Sequence, residues 1–251
     1  MIGTVYLVGA GPGAADLLTL RAARLLGDAD IVFHDALVPG EVLALAPRAQ
    51  KVAVGKRCGR HSTAQRFVNK RLVDAAAKHR IVVRLKGGDP MLFGRAHEEL
   101  GYLRARGVAV QVVPGVTAAL AASAEIGVSL TRRGVARSVV FATPRAAAGE
   151  APSGWVHAVA SADTAAIYMG VGDAQAIAQG LVAAGKPAAT PVAVIENATL
   201  EPARAVYGTL GELPLLAAGM GGGPALILLG EVLADAVSAA RQATPRKAQG
   251  G

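Results

Sequence analysis

The segment VYLVGAGPGAADLLTLRA, Val5–Ala22, joins a short apolar run to a run of helical period through a glycine-rich turn. The residues from Thr4 to Val8 predict a β-strand, and the apolar spacing from Asp16 to Leu26 predicts an amphipathic helix. A strand, a glycine turn and a helix in this order form the opening of a βα unit. The segment therefore predicts an α/β fold.

The same alternation continues through the first half of the chain. Ser62 followed by Gln65 has the pattern of a capping box, which predicts a helix from there through Lys78. This rhythm predicts a largely parallel sheet with helices on both faces. The further strands of this sheet are expected near Ile31 to His34, Lys51 to Val54, Ile81 to Lys86 and Ala109 to Val113.

The second half of the chain has a different rhythm. Pro114 cannot continue a central strand, so the sequence predicts domains at 1–113 and 114–243, with a disordered tail at 244–251. Asn197 to Pro202 has the length of a hairpin connection, which predicts a mixed sheet in the second domain. Its strands are expected near Ser138 to Ala142, Ala165 to Met169, Pro191 to Glu196, Arg204 to Tyr207 and Ala225 to Leu229.

The composition bounds the location of the protein. Its mean hydropathy is +0.40, but proline and glycine interrupt the two long uncharged stretches, Gly107 to Ala124 and Leu213 to Gly230. Neither stretch can cross a bilayer as one apolar helix. A signal peptide has a basic region before its apolar run. Here the first cation is Arg21, which comes after the first apolar run, so the pattern of a signal peptide is not met. We expect a cytoplasmic protein without a membrane partner.

Charge and cysteine content narrow the function classes. Cys58 is the only cysteine, which excludes an internal disulfide and a cysteine-cluster metal site, and no metal is expected. The net charge is +8, but the cations are scattered and no helix-turn-helix, zinc-finger or RNP-type pattern accompanies them. The sequence therefore predicts no nucleic-acid partner and leaves a polyanionic small molecule open.

The first glycine turn permits three interpretations. Gly9, Gly11 and Ala14 satisfy the G-x-G-x-x-A pattern of dinucleotide-binding turns. Pro12 lacks a backbone N–H, however, and removes one donor from a loop that would cradle a pyrophosphate. The turn is also compatible with a tight βα connection that binds nothing, or with another ligand.

A second glycine motif, Arg84–Gly94, follows the strand expected at Ile81 to Lys86. Ligands of open α/β sheets bind at the carboxyl ends of strands, and the paired glycines Gly87 and Gly88 let a ligand approach the backbone. Asp89 is suited to accept hydrogen bonds from ribose hydroxyls or to pair with a cationic ligand. A plain Asp-Pro turn explains Asp89 but not both glycines.

Together, the runs VYLVGAGPGAADLLTLRA and VVRLKGGDPMLFGRAHEEL resemble the two signature segments of uroporphyrinogen-III C-methyltransferases, within the tetrapyrrole methylases. The similarity continues along most of the chain. Further matching runs are VGKRCGRHSTAQRFVNKRL, VVPGVTAALAASAEIGVSLTRRGVARSV, AIYMGVGDA, PVAVIENATLEPARAVYGTLGEL and PALILLGEV.

The resemblance implies two αβα domains, with S-adenosylmethionine bound in the cleft between them and S-adenosylhomocysteine as its product, usually in a homodimer. By motif, Asp35 is implied as proton acceptor and Lys56 as proton donor. The implied cofactor contacts are Pro12, Gly87, Gly88, Asp89, Leu92, Thr117, Ala118, Met169 and Ala198. The cations expected to bind the carboxylates of the tetrapyrrole are Arg57, Arg60, Arg132 and Arg133.

The implied activity is two successive methyl transfers to uroporphyrinogen III, which yield precorrin-2 for siroheme or cobalamin synthesis. The sequence departs from the family pattern at His34, at Arg132 and at Ala142–Arg145. These departures fall on the substrate side. A methyltransferase that acts on a later precorrin of cobalamin synthesis therefore stays open, as does a non-catalytic tetrapyrrole-binding protein.

Overall fold

The computed structural model describes residues 2–54, 65–146, 149 and 153–243. The chain divides into two compact units, Met1–Ala118 and Ala119–Gly251. The division lies five residues after the boundary expected at Pro114, because the segment that follows Val113 is bonded to the first unit. The backbone N–H of Gly115 donates to Asp89 Oδ2 at 2.9 Å.

The first unit contains a five-stranded sheet in which every neighbouring pair is parallel, as predicted. The strand order is β3-β2-β4-β1-β5. Apolar β-branched runs explain the central strands, which are buried on both faces. The strands are β1 (Thr4–Gly9), β2 (Ile31–His34), β3 (Gln50–Ala53), β4 (Ile81–Lys86) and β5 (Ala109–Val113).

Helices cover both faces of this sheet. One core contains Leu26 of the first helix and Val42 of the second, and the opposite core contains Leu72 of the third and Leu103 of the fourth. All four side chains are fully buried, and truncation of such a leucine typically costs about 2 to 5 kcal/mol. The helices are α1 (Leu20–Asp28), α2 (Gly40–Ala44), α3 (Gln65–Ala76) and α4 (Ala96–Arg104).

The first helix begins later than the sequence predicted. Ala15–Leu17 form a separate 3-10 turn, and α1 starts at Leu20. The Thr19 hydroxyl accepts from the N–H of Ala22 at 3.2 Å and caps the helix. An N-cap threonine satisfies an amide that the helix leaves unbonded, so the predicted start at Asp16 was wrong.

The second unit has the mixed sheet that the sequence predicted, in the order β6-β7-β10-β8-β9. Strands β6 and β7 are parallel, and the other neighbours are antiparallel. The predicted hairpin joins β8 to β9. The elements are α5 (Ala118–Glu125), β6 (Val139–Ala142), α6 (Trp155–Ser161), β7 (Thr164–Tyr168), α7 (Ala174–Ala183), β8 (Pro191–Glu196), β9 (Arg204–Thr209), α8 (Leu213–Ala218), β10 (Ala225–Gly230) and α9 (Ala234–Ala243).

Two cores also flank the second sheet, one around Ile167 and Leu181 and the other around Ile195 and Leu228. The tail predicted at 244–251 and the capping residue Ser62 lie outside the described residues. Within the described part of the chain, no helix is both long and apolar enough to cross a membrane.

Candidate functional site

Three loops of the first unit lie side by side at the carboxyl edge of its sheet. They follow β4, β1 and β5, which are neighbours in the sheet. The register pairs Gly9 with Lys86, so the two glycine motifs leave the sheet at the same level. The carboxyl edge of a parallel sheet is where open α/β folds bind their ligands.

Backbone hydrogen bonds join the two glycine motifs directly. The N–H of Gly88 donates to the carbonyl of Gly11 at 2.7 Å, and the N–H of Gly11 donates back at 3.2 Å. Ala10 also donates to the carbonyl of Lys86 at 2.7 Å. Both glycines have positive φ angles, 70° at Gly11 and 64° at Gly88. A residue with a side chain adopts such an angle only at a cost in free energy. The two motifs thus form one backbone structure.

The third loop packs so closely against the other two that it permits no side chain at the contact. A Cβ built on Gly9 would lie 2.7 Å from Gly115 Cα and 2.7 Å from the carbonyl oxygen of Gly88. A Cβ on Gly115 would lie 2.9 Å from Gly9 Cα. The opposing atoms are backbone, so they cannot rotate away. Gly115 was not among the site residues predicted from the sequence, although its place after β5 and Pro114 was a signal.

Asp89 binds two of these loops together. Its Oδ1 accepts from the backbone N–H of Met91 at 2.7 Å, and its Oδ2 accepts from Gly115 at 2.9 Å. A carboxylate oxygen can accept more than one hydrogen bond, so both oxygens keep capacity for a ligand. The predicted contact of Asp89 with the cofactor stays a prediction, and its bonds to the loops are an additional finding.

The other cofactor residues predicted in the first unit lie in the same three loops. Pro12 is half-buried in the turn after β1, and the N–H of Leu92 donates to the carbonyl of Asp89 at 3.3 Å. A Cβ built on Gly88 would lie 4.0 Å from Thr117 Cα. Ala118 follows Thr117 and opens α5. These residues therefore occupy one edge of the first sheet.

Asp35 lies at this edge as well. It follows β2, the neighbour of β4, and its backbone N–H donates to the carbonyl of Leu85 at 3.2 Å. Its Oδ1 accepts from Nη2 of Arg84 at 2.5 Å. A Cβ built on Gly87 would lie 3.9 Å from Leu37 Cβ, so the loop that carries Asp35 lies beside the second glycine motif.

Buried charges lie beneath Asp35. Arg84 and Lys86 of β4 are both 4% exposed, and Glu99 of α4 is completely buried. Burial lowers the pKa of the Lys86 ammonium group, and repulsion from Arg84 lowers it further, while attraction to Glu99 opposes both effects. Glu99 and the pairing of these charges were not predicted from the sequence. The signal was the spacing of Ala96, Glu99, Leu100 and Leu103, which puts Glu99 in the buried stripe of α4.

The second unit places the predicted residues Met169 and Ala198 after β7 and β8, at one edge of its sheet. The backbone there is unusual. Positive φ angles of 54° at Met169, 54° at Asn197 and 69° at Thr199 occur without glycine. Such angles cost energy and are frequent at ligand sites. The carboxylate of Glu125 accepts from the N–H of Thr199 at 3.1 Å and helps to hold this loop.

The cations predicted to bind substrate are described only in part. Lys56, Arg57 and Arg60 lie outside the described residues. Arg132 is exposed and pairs with Asp235 at 2.9 Å, and Arg133 is exposed in the same turn. Both remain accessible to a polyanion, and their role stays a prediction.

Comparison with known proteins gives a consistent family. The sequence pattern of the Tetrapyrrole (Corrin/Porphyrin) Methylases matches residues 4–214. Siroheme synthase 1 of Cronobacter sakazakii is 49% identical over 92% of this chain and 49% of its own length. The chain thus spans about half the length of the curated relatives it matches.

Solved structures agree with this family. Uroporphyrin-III C-methyltransferase of Thermus thermophilus, complexed with S-adenosylhomocysteine, is 42% identical with a TM-score of 0.82 and covers 93% of this chain and 100% of that one. A cobalt precorrin-4 methyltransferase is 28% identical, with a TM-score of 0.81 and coverage of 92% and 95%. The chain therefore belongs to the tetrapyrrole (corrin/porphyrin) methylases.

Proposed function

We propose that this chain transfers methyl groups from S-adenosylmethionine to two carbons of uroporphyrinogen III in succession, which gives precorrin-2 and S-adenosylhomocysteine. The observation that carries this proposal is the set of three loops at the carboxyl edge of the first sheet, in which Asp89 joins the loop after β4 to the loop after β5 and backbone bonds join Gly88 to Gly11. The identity of 42% to a uroporphyrin-III C-methyltransferase complexed with S-adenosylhomocysteine supports both the donor and the substrate.

The loops suit a nucleoside with a charged amino-acid end. Such a ligand is held by backbone groups, apolar walls and a few polar anchors. Gly87 and Gly88 leave the backbone open to close approach, and the Asp89 carboxylate offers oxygens to ribose hydroxyls or to the cationic donor. Pro12, Leu92, Thr117 and Ala118 would line this part of the site. Met169 and Ala198 are proposed contacts of the second unit.

When bound, S-adenosylmethionine supplies a sulfonium methyl group that a pyrrole carbon of the substrate attacks. The carbon–methyl bond forms as the sulfur–methyl bond breaks, and the macrocycle then releases one proton for each methyl group. We assign the acceptance of this proton to the carboxylate of Asp35. Its Oδ1 is bonded to Arg84, and its Oδ2 has no hydrogen-bonding partner among the described residues.

Cations have the complementary task of binding the substrate. Uroporphyrinogen III carries many carboxylates, which arginine forks bind in a bidentate manner. We assign this task to Arg57, Arg60, Arg132 and Arg133. We assign the role of proton donor to Lys56. The net charge of +8 favours the approach of such a polyanion.

The nearest rival is methylation of a later precorrin, since a cobalt precorrin-4 methyltransferase has a similar fold at 28% identity. Incubation of the purified chain with S-adenosylmethionine and enzymatically generated uroporphyrinogen III, followed by mass measurement, separates the two. The proposal predicts a dimethylated tetrapyrrole. Unmodified uroporphyrinogen III together with methylation of a later precorrin would establish the rival, and binding of both ligands without any methylation would indicate a non-catalytic protein.

We further infer a homodimer in the cytoplasm. Two large apolar side chains beside the loops of the first unit are exposed in the single chain, with 58% exposure at Leu37 and 60% at Met91. We infer that these side chains belong to a contiguous apolar patch, which is the kind of surface through which subunits associate. Light scattering on the purified protein tests the dimer, and fractionation of the producing cell tests its location.

A further inference from the structure

Three buried charges lie on one face of the first sheet. Arg84 and Lys86 are two residues apart in β4, so their side chains point to the same face, where α3 and α4 pack. Glu99 of α4 meets both of them. Charges removed from water are stable only when they are paired and hydrogen-bonded, so this group has to be satisfied internally.

Every arm of the Arg84 guanidinium has a partner. Nε donates to Glu99 Oε1 at 3.1 Å, and Nη1 donates to the carbonyl of Leu85 at 3.1 Å. Nη2 donates to Asp35 Oδ1 at 2.5 Å. A planar guanidinium with three fixed partners holds its contacts in one geometry.

Glu99 keeps Arg84 in place from the other side. Its carboxylate also accepts from Nζ of Lys86, at 3.2 Å to each oxygen, and from Nε2 of Gln65 at 2.9 Å. The carboxylate is therefore held by donors from both β4 and α3. If the Arg84 side chain moved closer to Glu99, its hydrogen bonds to Leu85 and Asp35 would break.

Asp35, in contrast, belongs to a loop, and its side chain is 31% exposed. Its backbone is held by the bond of its N–H to Leu85 and by the bond that its carbonyl accepts from Val38. Its carboxylate is held by Arg84. A carboxylate that takes a proton from a large substrate has to be held in a reactive orientation.

From this geometry we propose that Arg84 is a positioning residue for Asp35, and that Glu99 acts through Arg84. The inference rests on the proposed role of Asp35 as proton acceptor. The competing explanation is that Arg84 only balances the buried charge of Glu99. The two explanations differ in what a variant with balanced charges should do.

The decisive variant is Arg84→Met combined with Glu99→Gln. The parent cluster holds two carboxylates, Asp35 and Glu99, and two cations, Arg84 and Lys86. The double variant removes one of each, so the buried charge stays balanced while the contact with Asp35 is lost. Arg84→Lys is the second variant, because it keeps the charge but lacks the fork that reaches both carboxylates.

The full chain and its variants are compared by melting temperature, by calorimetric binding of S-adenosylhomocysteine, and by kcat and KM for methylation of uroporphyrinogen III. We expect the double variant and Arg84→Lys to keep the affinity for S-adenosylhomocysteine and the KM of the parent. We expect kcat to fall about 10- to 100-fold in both. In an Asp35→Asn background, Arg84→Lys should cause no further loss of kcat.

Arg48→Met serves as the matched control, because Arg48 forms an exposed pair with Asp28 at 3.3 Å and should leave kcat unchanged. The inference is overturned if Asp35→Asn is slow but the double variant keeps the kcat of the parent. If the double variant does not fold, a parent kcat in Arg84→Lys overturns it in the same way. If Asp35→Asn turns over at the parent rate, the proposed function of Asp35 fails, and this inference fails with it.

Discussion

The carboxylate of Asp89 lies 2.9 Å from the backbone nitrogen of Gly115, and this hydrogen bond ties the loop after β4 to the loop after β5. The same side chain accepts from Met91 at 2.7 Å. Hydrogen bonds from backbone N–H groups to a carboxylate are charge-assisted and stronger than neutral ones. Asp89 therefore has a structural task in the proposed cofactor site, beside any direct contact with the ligand.

We expect Asp89→Ala to abolish measurable binding of S-adenosylhomocysteine, because it removes an anchor of the ligand and releases two loops. Asp89→Asn keeps one acceptor oxygen and should weaken binding less, by about tenfold or more. Calorimetric titration measures both affinities. Asp163→Ala is the control, since Asp163 accepts similar backbone bonds from Arg137 and Ser138. Unchanged affinity in Asp89→Ala would refute the role of this carboxylate.

A methyl group at Gly115 should disrupt the three-loop contact. Its Cβ would meet backbone atoms of Gly9 and Gly88, so we expect Gly115→Ala to destabilise the fold by about 1 to 3 kcal/mol and to weaken binding of S-adenosylhomocysteine. Gly101→Ala in α4, where a Cβ meets nothing within 4 Å, should instead stabilise slightly. Thermal unfolding compares the two. Equal melting temperatures would show that the loops tolerate the side chain.

Replacement of Asp35 should affect chemistry and not cofactor binding. We expect Asp35→Asn to lower kcat by about 100-fold or more, the usual contribution of a general base. The affinity for S-adenosylhomocysteine should stay at the parent value. Single-turnover methylation measures the rate, and Asp28→Asn, an exposed carboxylate, is the control. A full rate in Asp35→Asn would show that the proton goes elsewhere.

Asp30 should stabilise the fold at neutral pH and lose this effect in acid. Backbone hydrogen bonds from Ile81, and then from Arg80, lower the pKa of this carboxyl group below its ordinary value, although slight burial opposes them. A folded-state pKa below the unfolded one stabilises the fold above the unfolded pKa, and this contribution disappears as pH falls through the folded pKa. Asp30→Ala should therefore lower the melting temperature at pH 7, with a difference that shrinks in acid. A difference independent of pH would contradict this linkage.

Sequence patterns predicted the architecture well where the apolar signal was continuous. The bounds of Ile31–His34 and Ile81–Lys86 agree with the structure, because buried parallel strands are apolar runs with clear ends. The start of α1 could not be read from periodicity, since the cap at Thr19 competes with the acidic residue at Asp16. Propensity alone does not decide between the two.

The candidate site was only partly predictable. Gly88 and Asp89 stood out because their motif follows a strand, but the close approach of Gly9 to Gly115 depends on the order of the strands in the sheet. Sequence spacing does not give that order. The role of Asp35 as proton acceptor was inferred from the family resemblance. Its hydrogen bond to Arg84 could not be predicted from the sequence.

The position of the cofactor is tested by a crystal structure of the chain with S-adenosylhomocysteine. We expect the nucleoside to lie against Gly87, Gly88 and Asp89, at the loops that follow β1, β4 and β5. A nucleoside bound at any other place, or these loops empty at a saturating concentration of the ligand, would contradict it.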